Sequence, residues 1–195
     1  MDRVLDTADL ERCLLPRPHS RLTKRRIFIL HGLGGIGKTQ LAVDFARRHQ
    51  ATFSTVFWLD GRSEDRLRQS IANCAKRIPE GQIPEKSRKA TPDNEGDVNL
   101  AVADVLDWLA QPDNVDWLLI FDNVDQDQEQ GGATGTYDIQ RYLPGDHGAV
   151  LVTTRLARLA QLGDAKQLRK ADGTLSKAIF QQWRRAELSK TFCTV

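Results

Sequence analysis

Cysteine is scarce in this chain and poorly placed for pairing. The three present, Cys13, Cys74 and Cys193, lie far apart, and no C-x-x-C occurs. An odd number at such spacing offers neither a disulfide framework nor a zinc site, so reduced thiols in an intracellular, cytoplasmic setting are expected. Long apolar runs are missing too: none approaches the ~18 residues of a membrane span. The first residues mix Asp, Arg and Glu among the apolar ones, so they show no signal-peptide core. Charge of one sign is also lacking. The net charge is +2, acids and bases are interspersed, and basic runs such as Lys24-Arg25-Arg26 are short. Nothing in that balance calls for nucleic acid or an anionic membrane. Disorder is excluded as well, because 40% of the 195 residues are hydrophobic, enough for one α/β domain with a sizeable core.

What is present is a segment with a clear order of parts. Arg26-Ile27-Phe28-Ile29-Leu30-His31 is an apolar run, Gly32 to Thr39 fits G-x-x-x-x-G-K-[ST], and Gln40-Leu41-Ala42 opens a helical pattern. Strand, glycine-rich loop and helix in that order are the context a phosphate-binding P-loop requires. Apolar side chains at 27–30, on both faces of the 27–31 stretch, predict a central strand covered on both sides.

Along the rest of the chain, strands and helices alternate. A short helix is expected over 6–15, ended by Pro16 and Pro18. A helix over 38–49 buries Leu41, Ala42, Phe45 and Ala46. A strand over 55–59 follows, then a helix capped by Ser63 with Glu64 and Asp65 in its first turn. Residues 79–96 lack periodicity and read as a surface loop. Asp97 is the expected cap of the next helix, with its stripe of Val98, Val102, Val105, Leu106 and Leu109. Strands are predicted over 117–122 and 149–154, with a polar loop over 126–136 and a helical turn over 137–142 between them. Beyond Arg155, a helix over 156–162, a short strand over 166–170 and an amphipathic helix over 176–188 are expected. The chain divides into a lead-in (1–25), one nucleotide-binding domain (26–188) and a tail (189–195). This alternation predicts a doubly wound parallel α/β sheet of about five strands with helices on both faces.

Three stretches carry chemistry. In the loop, Gly32, Gly34, Gly35 and Gly37 let the chain, with Ile36 between them, turn tightly and aim N–H groups inward at phosphate oxygens. Lys38 adds a mobile positive charge, and Thr39 a hydroxyl for Mg²⁺. Leu118-Leu119-Ile120-Phe121-Asp122 places a carboxylate at the end of an apolar strand, the second Mg²⁺ anchor a P-loop needs on a neighbouring strand. Leu151-Val152-Thr153-Thr154-Arg155 puts polar groups and a guanidinium at the same edge of the sheet, where Arg155 is placed to read a γ-phosphate. Hydrolysis would require a base. Asn123 cannot act as one, which leaves Asp125 as the nearest candidate catalytic carboxylate. His31 reads as a locally bonded strand-end residue, Asp60 as a brace of its strand, and Trp58, Trp108, Trp117 and Trp183 as packing residues.

Together, the loop form Gly32-Leu33-Gly34-Gly35-Ile36-Gly37-Lys38-Thr39, the stretch Leu119 to Asp125 and the Thr153-Thr154-Arg155 strand end resemble the NB-ARC class of STAND P-loop ATPases. These are the nucleotide switches of NOD-like receptors and their fungal relatives. The resemblance implies a three-layer P-loop NTPase fold with the metal and sensor strands beside the P-loop strand. It implies ADP at rest, ATP exchange on activation and self-association or docking on related receptors. It assigns phosphate contacts to Gly35, Gly37, Lys38, Thr39 and Gln40, Mg²⁺ to Thr39 and Asp122, and γ-phosphate sensing to Arg155. Residues 1–25 carry no copy of the family's apolar-apolar-Gly-Arg element, and neither its later helical domain nor its winged helix follows, so a nucleotide-binding core alone is expected. An active ATPase of another clan, with Asp125 as base, and a non-enzymatic interaction module are the competing readings.

Overall fold

The computed structural model describes residues 2–16, 24–126 and 137–169. Five strands, β1 (Arg26–His31), β2 (Thr55–Asp60), β3 (Trp117–Asp122), β4 (Ala149–Thr154) and β5 (Asp164–Gln167), form one sheet in the order β2-β3-β4-β1-β5. Every pairing is parallel. Parallel strands need crossovers: α2 (Lys38–His49) lies between β1 and β2, and α3 (Glu64–Cys74), the single-turn α4 (Glu85–Arg88) and α5 (Glu95–Leu109) lie between β2 and β3, while α1 (Asp2–Leu14) precedes β1.

Side-chain alternation along the strands sorts the core into two layers. Leu118 and Ile120 of β3, Leu151 of β4, and Phe28 and Leu30 of β1 pack with Leu10 and Leu14 of α1 and Leu41 and Phe45 of α2. Leu119 and Phe121, Val150 and Val152, and Ile29 face the other way, against Leu67 and Ile71 of α3 and Val98, Val105 and Leu109 of α5. β3 and β4 are buried at every position, which is why both are continuous apolar runs. The expected α/β sheet with helices on both faces is the one observed.

Several details differ from expectation. β3 is not a direct neighbour of the P-loop strand, because β4 lies between them. The stretch 79–96 is not a bare loop. It contains α4, with Ile83, Ser87 and Ala90 buried, and Ser87 donates its hydroxyl to Asp104 of α5. The cap of α5 is Asn94, whose Oδ1 accepts from the N–H groups of Gly96 (3.1 Å) and Asp97 (3.4 Å), so Asp97 sits in the first turn. α1 begins at Asp2, four residues earlier than the expected start. Residues Ala157–Leu162 and Ile139–Tyr142 form 3-10 turns. β5 spans Asp164–Gln167 rather than 166–170. Trp117 and Trp108 are buried, whereas Trp58, on the edge strand, is exposed. All of the expected loop over 126–136 except Gln126, the helix over 176–188, Trp183 and the tail lie outside the described residues.

α1 is fastened to the β5 edge by charge. Lys166 Nζ lies 2.8 Å from Asp6 and 2.6 Å from Asp9. Burial works to lower the Lys166 pKa, but hydrogen bonds and attraction from both carboxylates outweigh it and hold the value above the usual range. The bond from Lys166 in turn lowers Asp9.

Candidate functional site

The P-loop leaves β1 at Gly32. The backbone there has φ +140°, and an added Cβ would lie 2.7 Å from both Ile36 Cδ1 and the Leu168 carbonyl, so glycine alone fits. Leu168 is held there by its N–H, which donates to His31 O at 2.9 Å. The loop closes at Gly37, left-handed at φ 92°, which is the N-cap of α2. Because that cap has no side chain and α2 has no acid in its first turn, the first-turn N–H groups are left without a side-chain acceptor. Around Gly34 and Gly35 an added Cβ would meet nothing within 4 Å. The result is an open, donor-lined concavity at a helix N-terminus, the physical form of an anion site.

Lys38, the first residue of α2, is buried and turned back over the loop. Its Nζ donates to Gly32 O and Leu33 O, both at 2.9 Å. Burial is the main cause of a lowered pKa. Asp125 and Asp122 work against that lowering and Arg155 adds to it, so all three groups act on the loop lysine.

Strand parity explains what meets Thr39. Asp122 follows Leu118 and Ile120 on the α2 side of the sheet, and Thr153 follows Leu151 on the same side. Thr39 Oγ1 donates to Asp122 Oδ1 at 2.8 Å, and Thr153 Oγ1 donates to the same oxygen at 2.5 Å. Asp122 thus reaches Thr39 past the end of β4, and β4 supplies the hydroxyl that holds it. The Thr153 oxygen also accepts the Asn123 N–H at 2.9 Å, while Asn123 Nδ2 reaches Asp122 Oδ2 at 3.2 Å. Thr153 is fully buried. The sequence marked it only as one of the polar groups at the strand end and gave it no partner. The available signal was a hydroxyl at an inward position of an otherwise apolar strand.

Beyond Asp122 the chain laces itself onto β4. Asn123 is left-handed (φ 62°), a conformation Asn tolerates better than most residues. Val124 N donates to Thr153 O at 2.9 Å, Thr154 Oγ1 donates to Val124 O, and Asp125 N donates to Asn123 O at 2.9 Å. This path delivers the Asp125 carboxylate to Arg155. Oδ1 accepts the Arg155 backbone N–H at 2.6 Å, and Oδ2 accepts Nε at 2.5 Å. The two residues the sequence offered as base and sensor are therefore a joined pair.

Other candidates have plainer places. Asp60 binds Arg62 through both oxygens (2.8 and 2.5 Å), and that bond is the main cause of its lowered pKa. Gly61 N donates to Asp122 O at 2.7 Å and Gly61 O accepts from the buried Tyr137 hydroxyl at 2.6 Å, which locks the end of β2 to β3. Gln40 lies in the first turn of α2.

The donor set fits a hard divalent cation bound together with a phosphate. Among the described residues no cluster of three or more His, Cys, Asp or Glu is poised for a metal. Thr39 and Asp122 alone would offer two oxygen ligands, leaving the remaining positions for phosphate and water, as Mg²⁺ prefers.

The sheet order, the loop between β1 and α2 and the carboxylate at the end of β3 define a P-loop NTPase fold. No protein-family model matches the sequence, and no curated protein does. Among solved structures, Cdc6p from Pyrobaculum aerophilum is similar with a TM-score of 0.53 at 15% identity, over 95% of this chain and 49% of that one. A signal transduction ATPase with numerous domains (STAND) protein with a tetratricopeptide repeat sensor, PH0952 from Pyrococcus horikoshii, is aligned over 91% of this chain and 27% of that one, at 17% identity and a TM-score of 0.41. This chain thus spans about half the length of the first and about a quarter of the second. The likeness to Cdc6p is one of fold.

Proposed function

We propose that this chain is the nucleotide-binding core of a switch ATPase of the STAND type, which binds ADP or ATP with Mg²⁺ and turns over slowly or not at all. The observation that carries the proposal is the 2.8 Å bond from Thr39 Oγ1 to Asp122 Oδ1, beside an open glycine cradle. It joins the two metal-anchoring groups of the proposal, one on the helix that follows β1 and one at the end of β3, although β1 and β3 do not pair. The N–H groups of Gly32, Gly34, Gly35, Ile36 and Gly37 line the phosphate site. Lys38, Thr39 and Gln40 at the head of α2 complete it. Bound Mg²⁺ would neutralise phosphate charge, with Thr39 and Asp122 as its protein ligands. Lys38 would exchange its two loop carbonyls for phosphate oxygens, a charge-assisted bond in place of neutral ones. Arg155 stands at the strand end as the group to reach a terminal phosphate.

Slow turnover follows from the residues around Asp122. Asn123 has no basic function, and Asp125 already binds Arg155 with both oxygens. Self-association and a cytoplasmic setting belong to the same proposal. The setting rests on Cys13 and Cys74, neither of which is in a disulfide.

The test is calorimetric titration with ADP and with ATP, each with and without millimolar Mg²⁺. Saturable binding that Lys38→Ala weakens at least about tenfold is expected, in line with the loss of a charged hydrogen bond. Absence of binding by the unmodified chain sinks the proposal.

A further inference from the structure

Resting on the nucleotide-binding reading, we propose that Asp125 is a specificity-determining residue. By holding Arg155 it sets the balance between nucleoside diphosphate and triphosphate. The pair is built for this. Asp125 presents both carboxylate oxygens to one residue, to its backbone N–H at 2.6 Å and to its Nε at 2.5 Å. The two halves differ in freedom. Asp125 is 19% exposed and is fixed by the lacing of 123–125 onto β4, whereas the Arg155 side chain is 64% exposed and retains N–H groups directed to solvent. The backbone bond anchors the arginine's main chain, so the guanidinium can leave the carboxylate without unfolding the strand end.

The pair also lies within the field of the phosphate-binding lysine, on which Asp125 acts attractively and Arg155 repulsively. A terminal phosphate at the loop and the Asp125 carboxylate are therefore rival anions for one guanidinium fork. A diphosphate leaves the pair as it stands. A triphosphate draws Arg155 off and leaves Asp125 as an unpaired acid beside a phosphate. Both effects disfavour the triphosphate relative to a chain lacking the carboxylate, and the preference is written into 123–125 rather than into the loop. Asp125 on this account acts on which nucleotide stays bound, not on a water proton.

The experiment measures affinities for ADP and for a non-hydrolysable ATP analogue, both with Mg²⁺, in the full chain and in Asp125→Asn. Alongside, the Nε–Hε resonance of Arg155, assigned with Arg155→Lys, is followed by NMR without ligand, with ADP and with the analogue. The ratio of triphosphate to diphosphate affinity should rise about three- to tenfold in Asp125→Asn, the range for a partly exposed two-point ion pair. The resonance should be unchanged by ADP and moved by the analogue. An unchanged ratio overturns the proposal. So does a resonance indifferent to the analogue, even with a raised ratio, because the carboxylate would then act by repulsion without holding Arg155. If the unmodified chain binds neither nucleotide, the P-loop reading itself has failed. If it binds both and the variant behaves identically, only the role of Asp125 has.

Discussion

Replacing Thr153 with valine keeps the volume and the β-branched shape of the side chain and removes one oxygen. That oxygen has two partners: it donates to Asp122 Oδ1 at 2.5 Å and accepts the Asn123 N–H at 2.9 Å, at a site with no solvent access. Loss of a hydrogen bond to a charged group costs about 1.5–3 kcal/mol, and a buried N–H left without an acceptor costs about 1–3 kcal/mol. The two terms overlap, so about 3 kcal/mol is expected for Thr153→Val. Thr153→Ser keeps both bonds and loses one buried methyl, worth about 1 kcal/mol. The conservative replacement by shape should therefore be the more harmful by about 2 kcal/mol. Urea unfolding of the three proteins at neutral pH, compared at common slope, measures the order directly. Valine as stable as serine would refute the claim that the Thr153 hydroxyl holds Asp122 and Asn123 in place. If nucleotide binds as proposed, the same pair separates fold from site: serine should keep the Mg²⁺-dependent part of the affinity and valine should lose it.

Two other perturbations follow from the structure. Gly148 has φ +78° and lies against the Trp117 indole, which an added Cβ would overlap, so Gly148→Ala should cost about 2–4 kcal/mol in denaturant unfolding, and an unaltered midpoint would refute the packing. Lys166→Met should loosen α1 from β5 with a pH signature: Asp9 is depressed below 3.8, so its contribution is complete above that value and fades as pH falls through the lowered folded one, while Lys166, raised above 10.5, contributes fully below that value and loses its part as pH climbs past the raised one. The stability gap between the two proteins should be flat from about pH 5 to 10 and should narrow below about pH 4, and a gap unchanged at pH 3 would contradict the ion-pair account.

The parts read correctly from the sequence are those fixed by local pattern. β3 and β4 are buried on both faces, so their apolar runs mark their ends without knowledge of neighbours. Ser63, with acids behind it, caps α3 as expected, and its Oγ accepts from Arg66 N at 3.3 Å. The strand, glycine loop and helix in that order, and Asp122 at the end of its strand, were legible as positions because each leaves a local pattern of residue types. What escaped depends on partners distant in the chain. α4 has one turn and no period, and Ser87 is buried only because Asp104 receives its hydroxyl. Asn94 and Asp97 are both good caps, and the start of α5 decides between them. Trp58 is as apolar as Trp117, but the edge position of β2 leaves one of its faces open. Asp125 and Arg155 were each noticed, yet their union hangs on a left-handed Asn123, which no periodicity reveals.

The place of β4 between β1 and β3 has a consequence for how the molecule comes together. β1 and β3 share no hydrogen bond, so Ala149–Thr154 is the bridge that brings Thr39 within reach of Asp122. In a chain emerging from the ribosome, that bridge is the last of the three to appear. The glycine loop and its helix are complete about a hundred residues earlier, but the bond from Thr39 to Asp122 cannot form until the bridge inserts. Such non-local closure is the slow kind of folding step, and before it occurs the half-sheet β2-β3 presents an open apolar edge. If nucleotide binds as proposed, it can stabilise this fold only after its central strand is in place, and β4 insertion is then the step at which folding and binding become one equilibrium.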